Sequence, residues 1–118
     1  MKFTSWNIKG LGSRRKQRLL SNRMKQESPD VIFIQETKCS IQKIRDIHGK
    51  WLNRFEFLEV KAENTTGGIL TLWNPQNIDL VDAEASRDYL SAVFQPVGDK
   101  ETYLWLQMSM THREWRLN

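Results

Sequence analysis

Between Phe3 and Gln35 the chain passes through an aromatic segment, a glycine-punctuated loop, a helix-forming stretch and a β-branched segment. No other feature constrains the fold as tightly, because two strands joined through a helix pair in parallel by a right-handed crossover. Phe3 to Trp6 reads as a strand closing at Asn7, and Gly10-Leu11-Gly12-Ser13 as the loop after it. From Arg14 to about Gln26 helix formers dominate, with Leu20 and Met24 on one face. Ser28-Pro29-Asp30 ends this helix, since the residue before a proline resists the α region. Val31 to Gln35 then reads as a buried strand.

Ser40 is the N-cap of a second helix through Trp51, whose Ile44, Ile47 and Trp51 recur at three- and four-residue spacing. Beyond residue 53 the pattern shortens. Phe55–Lys61, Ile69–Trp73, Ile78–Ala83, Leu90–Gln95 and Thr102–Met108 read as strands. The turns between them are Thr65-Thr66-Gly67-Gly68, Asn74-Pro75-Gln76-Asn77 and Pro96-Val97-Gly98-Asp99. Close spacing favours antiparallel hairpins, so the expected sheet is mixed, starting parallel and continuing as a meander. Thr111 and Glu114 fit a capping box, which predicts a helix beginning near the end of the sequence and further chain beyond it.

At 118 residues the chain suits one domain, and its twelve aromatic side chains can bury a core despite a mean hydropathy of -0.61. The run Val31-Ile32-Phe33-Ile34 is far too short to span a membrane. Met1 to Asn7 lacks the apolar core of a secretion signal, and the single Cys39 excludes an internal disulfide. A nuclear or cytoplasmic protein is expected. Charge is uneven: residues 1–26 hold eight basic side chains and no acid, whereas the remainder holds ten basic against fourteen acidic. Such a basic end suits either phosphate contact or a solvated helix face.

Asn7 closes the first strand, and Glu36 follows the second. If those strands are parallel neighbours, both side chains emerge at the carboxyl edge of the sheet, where open α/β sheets bind ligands. Mg²⁺ takes hard oxygen ligands, commonly one or two carboxylates with water and substrate phosphate. Glu36 would supply the carboxylate and Asn7 an orienting amide, with Lys9 and Lys38 flanking them. Single Asn and Glu residues at strand ends also serve simply to cap loops.

The words around these residues are more specific. Ser5-Trp6-Asn7-Ile8-Lys9-Gly10-Leu11, followed by Pro29-Asp30-Val31-Ile32-Phe33-Ile34-Gln35-Glu36-Thr37-Lys38, resembles the opening of the endonuclease/exonuclease/phosphatase family. Thr66-Gly67-Gly68-Ile69-Leu70-Thr71-Leu72-Trp73 resembles that family's Gly-Gly strand, and the plant-type non-LTR retrotransposon endonucleases are the nearest branch. The resemblance runs from Met1 to about Trp73. It implies an α/β fold, the first half of a four-layer α/β sandwich, with a mixed sheet and two helices over about residues 14–27 and 40–52. It also implies a Mg²⁺- or Mn²⁺-dependent phosphodiesterase with Asn7 and Glu36 in the active site, Glu36 as metal ligand, and DNA as partner. Lys9, Arg14, Arg15, Lys16, Arg18 and Lys38 become the candidate nucleic-acid contacts.

The later family motifs are not matched. Where an Asn-x-Tyr-x-Pro segment belongs, this chain reads Leu106-Gln107-Met108-Ser109-Met110-Thr111, and neither the Asp-x-Asn nor the Asp-His motif follows. His112 follows Thr111 instead of Asp, and His48 falls on a helix. Residues 1–118 are therefore expected to form an incomplete domain lacking a general base and inactive alone. They are expected to supply only the first of two stacked sheets, so that Trp73 and Trp105 lie either on an uncovered apolar face or in a helix-covered core. Two other functions remain open: nucleic-acid binding without catalysis through the basic 9–25 segment, and hydrolysis of phosphoinositides or other small phosphoesters.

Overall fold

Ser13 lies in extended backbone, and its hydroxyl accepts the Lys16 amide at 3.2 Å, starting α1 (Arg14–Glu27). Ser28 closes that helix in the left-handed region, φ 44°, where its N–H reaches the Met24 carbonyl, and Pro29 prevents further helix. Ser40 caps α2 (Ile41–Trp51) in the same manner through the Lys43 amide. Both helices lie where the sequence predicts. The computed structural model describes residues 1–61, 67–86 and 89–109, and the backbone of 113–117. Thr65, Thr66, Met110, Thr111 and His112 lie outside the described residues.

The strands β1 (Phe3–Asn7), β2 (Val31–Gln35), β3 (Glu56–Val60) and β4 (Ile69–Trp73) form one sheet in the order β1-β2-β4-β3. The β1–β2 pair is parallel, as the crossover requires, with Phe3 opposite Val31 and Asn7 opposite Gln35. The β2–β4 and β3–β4 pairs are antiparallel. All five residues of β2 and of β4 are buried, as expected of central strands covered on both faces.

A single continuous sheet was the expectation, and the structure corrects it. β5 (Ile78–Ala85), β6 (Tyr89–Pro96), β7 (Leu104–Ser109) and β8 (Arg113–Leu117) form a second, wholly antiparallel sheet in sequential order. The turn at Asn74–Asn77 is a corner between sheets, not a hairpin. It is anchored to the first sheet by the Asn74 amide donating to the Asp30 carbonyl at 2.9 Å and by the Asn77 side chain donating to the Asp30 carboxylate. The capping-box prediction also fails, since Glu114 lies in β8, paired with Gln107 of β7. An open β7 edge offers a ladder of backbone hydrogen bonds, whereas an isolated helical turn must first meet its nucleation cost.

Two cores result. On one face of the first sheet, Ile32, Ile34, Leu70 and Leu72 pack against Leu20, Met24, Ile44 and Ile47 of the helices. On the other, Val31, Phe33, Ile69 and Trp73 meet Leu90, Phe94, Leu104 and Leu106 of the second sheet. The face expected to lie either uncovered or beneath a helix is covered instead by the second sheet, and Trp73 packs edge-on to Phe94 with ring centroids 5.5 Å apart. Trp105 is only half-buried, on the strand positions that alternate with Leu104 and Leu106. In β5 the register slips between Leu80 and Asp82, leaving Val81 as an exposed bulge residue. Among the described residues, no helix is long and apolar enough to cross a membrane.

Phe33 is 1% exposed and lies between the sheets. Phe33→Ala should cost about 3–5 kcal/mol in urea unfolding, because a ring-sized cavity cannot close between two hydrogen-bonded layers.

Candidate active site

The parallel register puts Asn7 beside Gln35, and the chain continues past both strands in step. The Ile8 amide donates to the Gln35 carbonyl, Gly10 to Glu36, and Leu11 to Thr37, at 3.1, 2.8 and 2.8 Å. Thr37 and Lys38 donate in turn to the carbonyls of Gly68 and Gly67 at 3.2 and 2.7 Å. Three connections, before and after different strands, are thus laced into one rim at the carboxyl ends of β1 and β2. Gly67 and Gly68 have φ of 74° and 96°, a region that disfavours side chains, so their glycine identity follows from the backbone path.

Lys9, Glu36 and Lys38 also adopt left-handed backbone, φ 53°, 56° and 51°, without being glycine. Such conformations are uncommon in L-residues and concentrate where a side chain must be aimed. Here the turn at Glu36 carries its carboxylate across to β1. The Asn7 side-chain amide donates to Glu36 Oε2, while Asn7 Oδ1 accepts the Lys9 amide at 3.3 Å. Lys38 Nζ lies 4.0 Å from the other carboxylate oxygen, and this exposed pair is weak. Glu36 is partly exposed, so one face of its carboxylate remains open to a ligand.

Beneath the rim, the buried Gln35 side chain donates to the Ser109 carbonyl of β7 at 2.9 Å, tying the second sheet to the site. Sequence reasoning missed this role. Its one visible signal was a polar residue ending an otherwise apolar strand. The start of α1 is also built into the site: Lys16 Nζ donates to the Ile8 carbonyl, and Gln17 Nε2 to the carbonyls of Leu11 and Gly12. Lys16 thus serves the loop, whereas Lys9, Arg14, Arg15, Arg18 and Lys38 are exposed. With no acid in the first turn of α1, Arg14 and Arg15 oppose the helix dipole, an arrangement an anion would relieve. Arg23 is used elsewhere, paired with Glu27 at 2.6 Å and lying over the Trp6 ring.

His48 is remote from this rim. Its Nε2 is 2.6 Å from the Phe55 carbonyl and its ring packs on Phe57, at the opposite edge of the sheet. Among the described residues no three His, Cys, Asp or Glu side chains form a cluster. One carboxylate beside one carboxamide does not fit zinc, which takes nitrogen and sulfur in closed tetrahedra. It does fit Mg²⁺ or Mn²⁺, which complete their shells with water and phosphate oxygen.

The Endonuclease/Exonuclease/phosphatase family profile matches residues 4–106, and the chain belongs to that family. Among solved structures, D. rerio TDP2 complexed with a single-strand DNA product superposes with a TM-score of 0.67 at 19% identity, over 91% of this chain and 44% of that one. The 3′ phosphatase NExo from Neisseria, bound to a product DNA hairpin, gives 0.58 at 20% identity, over 78% and 37%. AP endonuclease LMAP from Leishmania major gives 0.60 at 19% identity, over 99% and 39%. This chain spans less than half the length of each. No match was found among curated proteins.

Cys39 follows the rim and is 6% exposed. Burial pushes its thiol above the ordinary range, opposed by a backbone hydrogen bond from Leu11 and by the Lys43 charge. Thiolate is the reactive form, so iodoacetamide at mildly alkaline pH should label native Cys39 at least about tenfold more slowly than the urea-unfolded chain. Mass spectrometry of the labelled chain measures the difference.

Proposed function

We propose that this chain carries the metal- and phosphate-binding rim of a divalent-metal phosphodiesterase acting on DNA, of the retrotransposon-endonuclease type. The observation that carries this reading is the hydrogen bond from the Asn7 amide to the Glu36 carboxylate across two parallel strands. In this role Glu36 would hold Mg²⁺ or Mn²⁺, with Asn7 fixing the carboxylate and presenting its own oxygen toward the same shell. The ion, when bound, supplies neutralisation of the phosphodiester charge. The exposed ammonium and guanidinium groups of Lys9, Lys38, Arg14, Arg15 and Arg18 then bind and orient the phosphate backbone. The Ser5–Leu11 and Pro29–Lys38 segments, whose wording is nearest that of plant-type non-LTR retrotransposon endonucleases, support the retrotransposon branch.

Residues 1–118 act in this reading as the first portion of a larger domain and turn over negligibly alone. The only carboxylate that the described rim presents is occupied by metal binding, leaving no second group to accept a proton from water. The buried free Cys39 suits a reducing nuclear or cytoplasmic setting. A non-catalytic nucleic-acid-binding role is the second reading, favoured by the unopposed basic residues at the start of α1.

Mn²⁺ binding followed by electron paramagnetic resonance tests the rim directly, and Glu36→Gln should weaken it by about tenfold or more. With supercoiled or abasic DNA and Mg²⁺, the chain alone should bind without nicking. Metal-dependent nicking that Glu36→Ala abolishes would overturn the inactivity. Changing Arg14, Arg15 and Arg18 together to Ala should lower the slope of log affinity against log salt by roughly 2–3. An unchanged slope removes both DNA readings from this surface.

A further inference from the structure

A groove lies at the edge of the first sheet opposite the Asn7–Glu36 rim, where both helices end and β4 turns toward β5. It has two lobes, with cavity volumes of about 350 and about 380 Å³, and Met24, Arg54 and Phe55 line both. Each lobe falls in the size range of small-ligand sites. Met24, Pro29 and Leu52 lie buried beneath the groove, and half-buried Phe55 presents an aromatic ring to it. No acidic side chain lines either lobe, whereas Lys25 lines one and Arg54 both. Both cations are exposed, and among the described residues neither side chain has a hydrogen bond or ion pair. The carboxamides of Asn53, Asn74 and Gln76 complete the walls.

The chemistry of this lining is specific in combination. A half-buried aromatic ring takes the face of a flat ring, and two unpaired cations without a nearby acid take a dianion. Carboxamides offer paired donors and acceptors of the kind that read the edge of a nucleobase. A simple anion would leave the Phe55 ring unused, and a purely apolar ligand would leave the cations unpaired. We infer that the groove formed by Lys25, Arg54, Phe55 and the Asn53, Asn74 and Gln76 carboxamides is a nucleotide-binding site, with phosphate on the cations and base over Phe55. The nucleotide is either free or one unit of a single strand, since both present the same groups. This inference stands apart from the phosphodiesterase reading, because it uses none of the residues of the rim.

The test uses the full chain and an azido-adenosine monophosphate photolabel, with peptide mapping of the adduct. Labelling should fall on the 51–55 or 74–76 segments. Label confined to the segments around Asn7 and Glu36 overturns the site while leaving the phosphodiesterase reading intact. Calorimetric titration with dAMP should show affinity falling about tenfold in Arg54→Gln and less in Lys25→Gln, both exposed positions whose variants keep the native unfolding transition. Unchanged dAMP affinity in both variants, or inorganic phosphate binding as tightly as dAMP, also overturns it. A short single-stranded oligoadenylate that binds more tightly than dAMP, and loses that gain in Arg54→Gln, identifies a strand as the source. Equal affinity identifies the free nucleotide.

Discussion

The parallel pairing of β1 with β2 is the constraint on which the remainder of the molecule depends. Register alone sets Asn7 beside Gln35, and one further residue of chain brings Glu36 to the rim. A slip of one residue would send Phe33 to the helical face and Ile32 to the sheet interface, inverting both cores. The same apolar pattern that buries β2 therefore fixes the geometry of the polar site at its end. Left-handed backbone at Glu36 then turns the carboxylate toward Asn7 instead of into solvent.

The site is also joined to the second sheet. Gln35 reaches the Ser109 carbonyl, so the position of Glu36 is coupled to the packing of β7 on β2. The buried Gln35 amide tolerates little movement, because separation from this carbonyl would leave it without a partner. This links the inter-sheet core around Phe33, Trp73 and Phe94 to the rim.

Charge divides along the chain. Residues 1–55, which supply the helices and the parallel pair, hold thirteen basic and four acidic side chains, while residues 56–118 hold five and ten. The stretch that carries both helices is therefore net positive and the stretch from β3 onward net negative. The structure separates cations held in internal contacts from exposed ones. Lys16 holds the Ile8 carbonyl and Arg23 holds Glu27 and Trp6, whereas Arg14, Arg15 and Arg18 remain exposed.

The linear sequence determined every element that local chemistry controls. Ser13 and Ser40 as caps, Ser28-Pro29 as a stop, and the parallel crossover all follow from interactions within a few residues or from the handedness of the chain. Pairing of Asn7 with Glu36 was legible for the same reason, as both are strand ends in one crossover. Only the tertiary structure decided that Asn74-Pro75-Gln76-Asn77 turns a corner into a second sheet, since a hairpin and a corner use the same turn residues. The choice is made by Asp30, distant in sequence, which anchors that turn. Likewise the edge of β7 turned Arg113–Leu117 into a strand against a helical capping signal, and Ser109 gave Gln35 its partner. Each outcome depends on a hydrogen-bonding group brought near by folding, which no local pattern of residues encodes.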